Sequence, residues 1–264
     1  MLAPEYDVSN KVILVTGAGR GIGSGIAEVL SQAGARVAIN ALTPKFAEAR
    51  AKSIASESGN QVGVFLADVT TPAGAQQLVD QVLERYGSID VLINNLGDAV
   101  AKPLVGLPDT KTQTISDEDL KRIVDLNLTA TLLCTRAVGP HMLDRRSGKV
   151  INVSSYTAGY GGGRVVIYSA AKAAVVGFTR AQALEWAPFN IQVNSIAPGL
   201  FPEPLTQGEE GLKAAEAFAA RVAPAGRAGK LREVGLLALY LSSRASDYMT
   251  GQTLHLDGGA SLGR

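Results

Sequence analysis

Tyr168 and Lys172 stand four residues apart in Tyr168-Ser169-Ala170-Ala171-Lys172, and Ser154-Ser155 lies upstream on a predicted strand end. On a helix, residues at this spacing share a face one turn apart, which brings the lysine charge toward the phenol oxygen. A free tyrosine titrates near pH ~10 and is a weak base at neutral pH. A fixed cation favours the phenolate and moves the group toward the range where proton transfer is useful. Chance supplies the same spacing in many helices, where the two residues are solvated or pack. The surrounding elements have to distinguish these cases.

Short β-branched runs recur along the chain at Lys11–Thr16, Arg36–Asn40, Gln61–Ala67, Ile89–Asn94, Lys149–Ser154, Ile191–Ile196 and Thr253–Leu256. Between them, Ile22–Ala33, Ala73–Tyr86, Asp117–Leu143, Ser169–Ala187 and Leu231–Ser243 carry helical periodicity. This alternation predicts βαβ units around a parallel sheet of about seven strands, an α/β doubly wound fold in one domain over residues 1–264. Ser116 ahead of Glu118 and Asp119 reads as a helix start. Two segments break the alternation: Ala99–Ile115, read as a long loop, and Leu200–Arg227, read as a loop with a helical insert. In such folds, long excursions after strand carboxyl ends cover a ligand site, or are tolerated surface insertions.

Thr16-Gly17-Ala18-Gly19-Arg20-Gly21-Ile22-Gly23 joins the first strand to the first helix. Glycines there allow a tight turn and close approach of a pyrophosphate to the helix N-terminus, although a purely structural turn is the plainer alternative. The strict G-x-G-x-x-G spacing is absent; what fits is T-G-x-x-x-G-I-G. The second strand ends Asn40-Ala41-Leu42 with no carboxylate before Glu48, the group that would hold the ribose hydroxyls of NAD. Arg20 in the turn, with Asn40, Thr43 and Lys45 after the strand, suits a 2′-phosphate instead, so NADP(H) is favoured and NAD(H) remains open.

The formal net charge is +1, from 25 basic and 24 acidic residues spread along the chain, and no charge run marks a nucleic-acid or membrane surface. No apolar run approaches a membrane span and no signal pattern opens the chain, so a cytoplasmic protein is expected. Cys134 is the only cysteine and sits in an apolar helical stretch, and His141 and His255 are the only histidines, leaving little material for a metal site or a histidine triad.

Thr16–Gly23, Asn94-Asn95-Leu96-Gly97, Ser155, Tyr168-x-x-x-Lys172, Pro198-Gly199 and Asp257-Gly258-Gly259 follow in that order, and in this the chain resembles the single-domain short-chain dehydrogenase/reductases along nearly its whole length. It is similar to the 3-oxoacyl-carrier-protein reductases and to their relatives acting on cyclic or other secondary alcohols. The resemblance implies a Rossmann domain that moves hydride between a nicotinamide and a carbonyl or alcohol. It makes Tyr168 the acid/base, Lys172 the group that lowers the tyrosine pKa and holds the nicotinamide ribose, and Ser155 the hydrogen-bond partner of the substrate oxygen, with Ser154 supporting the strand end. Asn127 becomes the helix asparagine that organises a water-mediated proton relay to the lysine. Gly17, Gly21, Ile22 and Gly23 with Arg20 form the phosphate turn, Asn40 and Ala41 the ribose end, Asp68 and Val69 the adenine contact, and Asn94, Asn95, Leu96 and Gly97 the adenosine and ribose side. Pro198, Gly199 and Phe201 lie at the nicotinamide, and a homotetramer is expected through Asp117–Leu143 and Ser169–Ala187.

Two positions depart from that pattern. Leu96 replaces an alanine close to the cofactor, and Glu203 stands where a threonine usually touches the carboxamide, with Thr206 three residues later. Tyr156, Thr157, the Tyr160–Val166 segment and the two long excursions should line a pocket for a small carbonyl or alcohol substrate, and Arg164 there is either an anion contact or a solvated loop residue. A cofactor-binding relative without activity would usually have lost Tyr168 or Lys172, and a Rossmann-type methyltransferase would leave Ser155, Tyr168 and Lys172 without a task.

Overall fold

Val12–Val15 forms the first strand, β1, and all four side chains are fully buried. Ile13 and Val15 enter one core while Val12 and Leu14 enter another on the opposite face. A strand covered on both sides needs such a continuous apolar run rather than an alternating one. The computed structural model describes residues 3–108 and 112–262, apart from the side chains of Pro204, Thr206 and Gln207. After β1 come β2 (Arg36–Ala41), β3 (Val62–Leu66), β4 (Val91–Asn94), β5 (Gly148–Val153), β6 (Ile191–Pro198) and β7 (Thr253–Leu256). They form one seven-stranded sheet in the order β3-β2-β1-β4-β5-β6-β7, with every pairing parallel. The order reverses between β1 and β4, which opens a crevice at their carboxyl ends.

The helices are α1 (Gly21–Gln32), α2 (Pro44–Ser58), α3 (Pro72–Tyr86), α4 (Asp117–Val124), α5 (Ala130–Arg145), α6 (Thr157–Tyr160), α7 (Val166–Trp186), α8 (Pro204–Val222) and α9 (Leu231–Ser242). Ile26 and Leu30 of α1, Ile54 of α2 and Val234 and Leu241 of α9 close one core. Leu78 and Val82 of α3, Val138 and Met142 of α5 and Trp186 of α7 close the other. Each such large side chain contributes about 2 kcal/mol on leaving water. Helices α1 and α9 approach closely because both carry glycine at the crossing: a Cβ at Gly25 would lie 2.6 Å from Leu231 Cβ, and one at Gly235 2.6 Å from Val29 Cγ2.

Three elements differ from the sequence expectation. Helix α2 was not foreseen, because its buried stripe is only Ala47, Ala51 and Ile54, and two alanines give little hydrophobic contrast. The predicted helix over 117–143 is interrupted by a π-helical turn at Asp125–Thr129 that separates α4 from α5. Helix α7 starts at Val166 rather than Ser169, so Tyr168 belongs to its first turn. The helical insert expected within 200–227 is α8, which takes up most of that segment, with a non-helical residue at Gly208. The described part of 99–115 is irregular as expected, and Asp109, Thr110 and Lys111 lie outside the described residues.

Candidate active site

Thr16 ends β1 by tying it to β4: its Oγ1 accepts the amides of Asn95 and Leu96 at 3.0 and 3.2 Å. Asn95 returns the contact, its Nδ2 donating to the carbonyls of Thr16 and Gly17 at 2.9 and 3.1 Å. The turn that follows can be built only with glycine. Gly17 and Gly21 have φ of +62° and +57°, and a Cβ at Gly23 would sit 2.4 Å from Asn95 Nδ2. The turn opens one side of a cleft of about 500 Å³ that runs along the sheet's carboxyl edge. Arg20, Gly21, Ile22, Ala41 and Thr43 line one end, Asn95, Leu96 and Gly97 the middle, and Ser154, Tyr168, Pro198, Gly199 and Phe201 the other.

The four residues assigned to catalysis come from three segments: the end of β5, the π-helical turn and α7. Ser155 follows β5 and is buried; its Oγ accepts from the amide and the hydroxyl of Thr157 at 3.2 and 3.0 Å. With both lone pairs engaged, the Ser155 hydroxyl proton is left to donate outward. Tyr168 lines the cleft from the first turn of α7, and the Lys172 Nζ lies 5.8 Å from its ring centroid. The Nζ is buried and donates to the Val153 carbonyl at 2.8 Å. Asn127 belongs to the π-helical turn, a local irregularity that often marks functional positions. Its Nδ2 donates to the carbonyls of Asp98 and Ile123 at 2.7 and 2.8 Å, while its buried Oδ1 has no hydrogen-bond partner among the described residues. A Cβ at Gly97 would be 2.6 Å from that oxygen and 3.0 Å from Lys172 Nζ.

The resemblance has Lys172 lower the Tyr168 pKa; in the chain by itself the net displacement is upward. Burial pushes Tyr168 upward, with Tyr156 and Asp98 adding to the rise and a hydrogen bond from Ser155 opposing it. Burial also pulls Lys172 down to about 8. In the chain by itself the tyrosine is therefore a phenol, and a phenolate needs further positive charge at the site.

Several predicted contacts are placed elsewhere. Asn40 is buried, its Nδ2 donating to the carbonyls of Phe65 and Ala67 at 3.3 and 3.1 Å, so its amide holds β2 to the end of β3. Asn94 is turned from the cleft into the core, donating to Thr135 Oγ1 at 3.0 Å and Asn152 Oδ1 at 2.9 Å. Asn152 in turn donates to Thr179 at 2.9 Å, a buried polar chain that sequence reasoning missed because nothing in spacing links four such separate residues. Asp68 is exposed and accepts the amide and hydroxyl of Thr70, and the Val69 side chain is buried in the core. Lys45 lies over the Phe46 ring. Leu96 rests on the glycine turn, its Cδ1 3.0 Å from where a Gly17 Cβ would be. Glu203 pairs with Arg20 at 3.8 Å, and the Thr206 side chain lies outside the described ones.

The residues present fit a nicotinamide dinucleotide: a glycine turn at the start of α1, a cleft running from Ala41 to Tyr168, and an unpartnered Asn127 oxygen beside a buried lysine. The family model described as enoyl-(acyl carrier protein) reductase matches residues 17–261. A 3-oxoacyl-(acyl-carrier-protein) reductase of Thermotoga maritima is 35% identical, over 96% of this chain and 98% of its own length. The chain belongs to the short-chain dehydrogenase/reductase family. Another curated member, a 2-dehydro-3-deoxy-D-gluconate 5-dehydrogenase of Bacillus subtilis, is also 35% identical, over 98% of this chain and 97% of its own. A gluconate 5-dehydrogenase from Burkholderia cenocepacia, solved with NADP and tartrate, has a TM-score of 0.87 and 32% identity, covering 98% of both chains. This short-chain dehydrogenase/reductase is thus an oxidoreductase of a family that binds NAD(P), acting between secondary alcohols and ketones.

Proposed function

We propose that this short-chain dehydrogenase/reductase reduces a small-molecule ketone, with a 3-oxoacyl thioester as the leading class, by using Tyr168 as proton donor, and runs the reverse reaction with Tyr168 as acceptor. The placement of Tyr168 at one end of a dinucleotide-sized cleft, with Ser155 hydrogen-bonded to it and Lys172 and Asn127 behind it, carries this reading. The bound nicotinamide supplies the hydride chemistry. Ser155, held by Thr157, donates to the substrate oxygen, and Tyr168 beside it delivers the proton as negative charge grows there. Lys172 keeps two N–H groups beyond the one given to Val153, and these with the Asn127 oxygen form the inner end of a water-linked path that reprotonates the phenol. Burial displaces the Tyr168 pKa upward and so favours the protonated form that a donor must start from.

NADP(H) is the proposed cofactor, with NAD(H) accepted less well. Ala41 leaves no carboxylate at the end of β2, Thr43 borders that end of the cleft, and the Burkholderia relative was solved with NADP. Oxidation of a sugar acid is the second reading, favoured by gluconate-acting relatives of the same identity as the thioester-acting ones. The whole chain acts as one catalytic domain, assembled as a homotetramer in the cytoplasm. Exposed Leu132 on α5 and Leu184 on α7 support the tetramer, and a single buried Cys134 suits a reducing compartment.

An absorbance assay at the nicotinamide band tests the reading, with 3-oxoacyl thioesters, cyclic ketones and keto-sugar acids offered against both cofactors. Tyr168→Phe should abolish turnover while leaving dinucleotide binding nearly intact. Turnover surviving in that variant defeats the mechanism, and activity confined to sugar acids moves the substrate assignment to the second reading.

A further inference from the structure

Glu203 stands where the family pattern has a threonine, and its carboxylate is held from two sides beside the glycine turn that lines the cleft. Oε1 accepts the Leu205 amide at 3.0 Å and so caps the start of α8. Oε2 lies 3.8 Å from Arg20 Nη1 in the glycine turn. The side chain runs against the first residue of α1, since a Cβ at Gly21 would be 3.3 Å from Glu203 Cγ. Only 13% of the Glu203 side chain is exposed, against 52% for Arg20, so the carboxylate is the sheltered member of the pair.

Helix α1 has no acidic residue in its first turn and receives no side-chain cap from Arg20. The positive end of the helix favours an anion. In a glycine-rich strand-turn-helix this is where the diphosphate of a dinucleotide lies. A carboxylate there and a diphosphate repel each other, the more so in a partly buried site where water screens poorly. A threonine at the same position carries no charge and sets up no such conflict.

We propose that Glu203 sets the dinucleotide affinity of this protein as an anionic place-holder for the diphosphate. In the free protein it ties α8 to the glycine turn through Arg20, and it has to leave that position when a dinucleotide binds. Arg20 then passes from carboxylate to phosphate, and the free protein has a stabilising contact that the loaded protein lacks. The diphosphate is common to NAD(H) and NADP(H), so the effect is equal for both and independent of which one is preferred.

Dissociation constants for NADPH and NADH, read from dihydronicotinamide fluorescence, and Tm values with and without saturating cofactor test this in Glu203→Gln and Glu203→Thr. Both variants should bind both cofactors about tenfold more tightly, a change of ~1.4 kcal/mol. Their Tm should fall in the free protein and match the parent when saturated, because the lost contact exists only in the free state. Unchanged or weaker binding overturns the proposal. So does a Tm deficit of equal size with and without cofactor, or a gain confined to NADPH.

Discussion

The amide oxygen of Asn127 and the ammonium of Lys172 converge on the backbone of Gly97, where a Cβ would lie 2.6 Å from the first and 3.0 Å from the second. Neither side chain can retreat. Asn127 is held through its Nδ2 by two carbonyls, and Lys172 by the Val153 carbonyl in a buried position.

Gly97→Ala should therefore act on turnover before stability. Relieving the overlap displaces one or both polar groups, and loss of such positioning costs on the order of a hundredfold in rate, while overpacking costs about 1–3 kcal/mol of stability. Steady-state kinetics together with urea unfolding will show both effects. Parent-like kcat in this variant would mean that the convergence has no part in the reaction.

Lys172 gives a pH signature of its own. Its folded pKa, about 8, is below the unfolded value near ~10.4, so between these values the unfolded chain binds more protons. Stability contributed by this group thus rises with pH across that window, and below about 8 the full penalty of burying the charge is present. Lys172→Met should be more stable than the parent at pH ~7, by up to about 3 kcal/mol less the lost Val153 hydrogen bond. Urea unfolding at pH ~7 and ~10.5 should show that advantage shrinking as the pH rises. A constant difference would show that Lys172 is not carried as a buried charge.

The polar chain Thr135–Asn94–Asn152–Thr179 crosses between β4 and β5 inside the core, linked at 2.9–3.0 Å throughout. Asn152→Ala removes the acceptor of Asn94 and the donor to Thr179, leaving buried polar groups short of partners. A loss of about 2–4 kcal/mol is expected. None of the four lines the cleft, so kcat at a temperature where the variant is folded should stay within about twofold of the parent. A large kinetic defect at full folding would assign these residues to the site itself.

Cofactor choice should turn on Ala41, the cleft-lining residue at the end of β2. A carboxylate there accepts hydrogen bonds from ribose hydroxyls and repels a 2′-phosphate. Ala41→Asp should lower the NADPH to NADH ratio of kcat/KM by about tenfold or more, equivalent to ~1.4 kcal/mol. An unmoved ratio would detach the preference from this end of the cleft.

Much of the site was legible because its chemistry is carried by local pattern. Continuous apolar runs such as Val12–Val15 announce strands buried on two faces, and the glycines of Thr16–Gly23 announce a turn that other residues cannot form. Tyr168 and Lys172 share a face wherever a helix covers both, and a helix does. Helix α2 escaped notice because alanines face the core there.

What tertiary structure alone decided is the direction in which similar side chains turn and what surrounds them. Asn94 and Asn95 are neighbours in the chain, yet one points into the core and the other binds the glycine turn, since successive residues at a strand end face opposite ways. Asn40 gives its amide to the carbonyls of Phe65 and Ala67, partners about twenty-five residues away that no local pattern announces. The four-residue spacing of Tyr168 and Lys172 was in the chain from the start, but the upward displacement of the phenol comes from the depth of burial and from Tyr156 and Asp98, against the opposing hydrogen bond of Ser155. Sequence determined which proton-bearing groups this protein owns; burial and long-range contacts decided their charge state and partners, because both depend on neighbours distant in the chain.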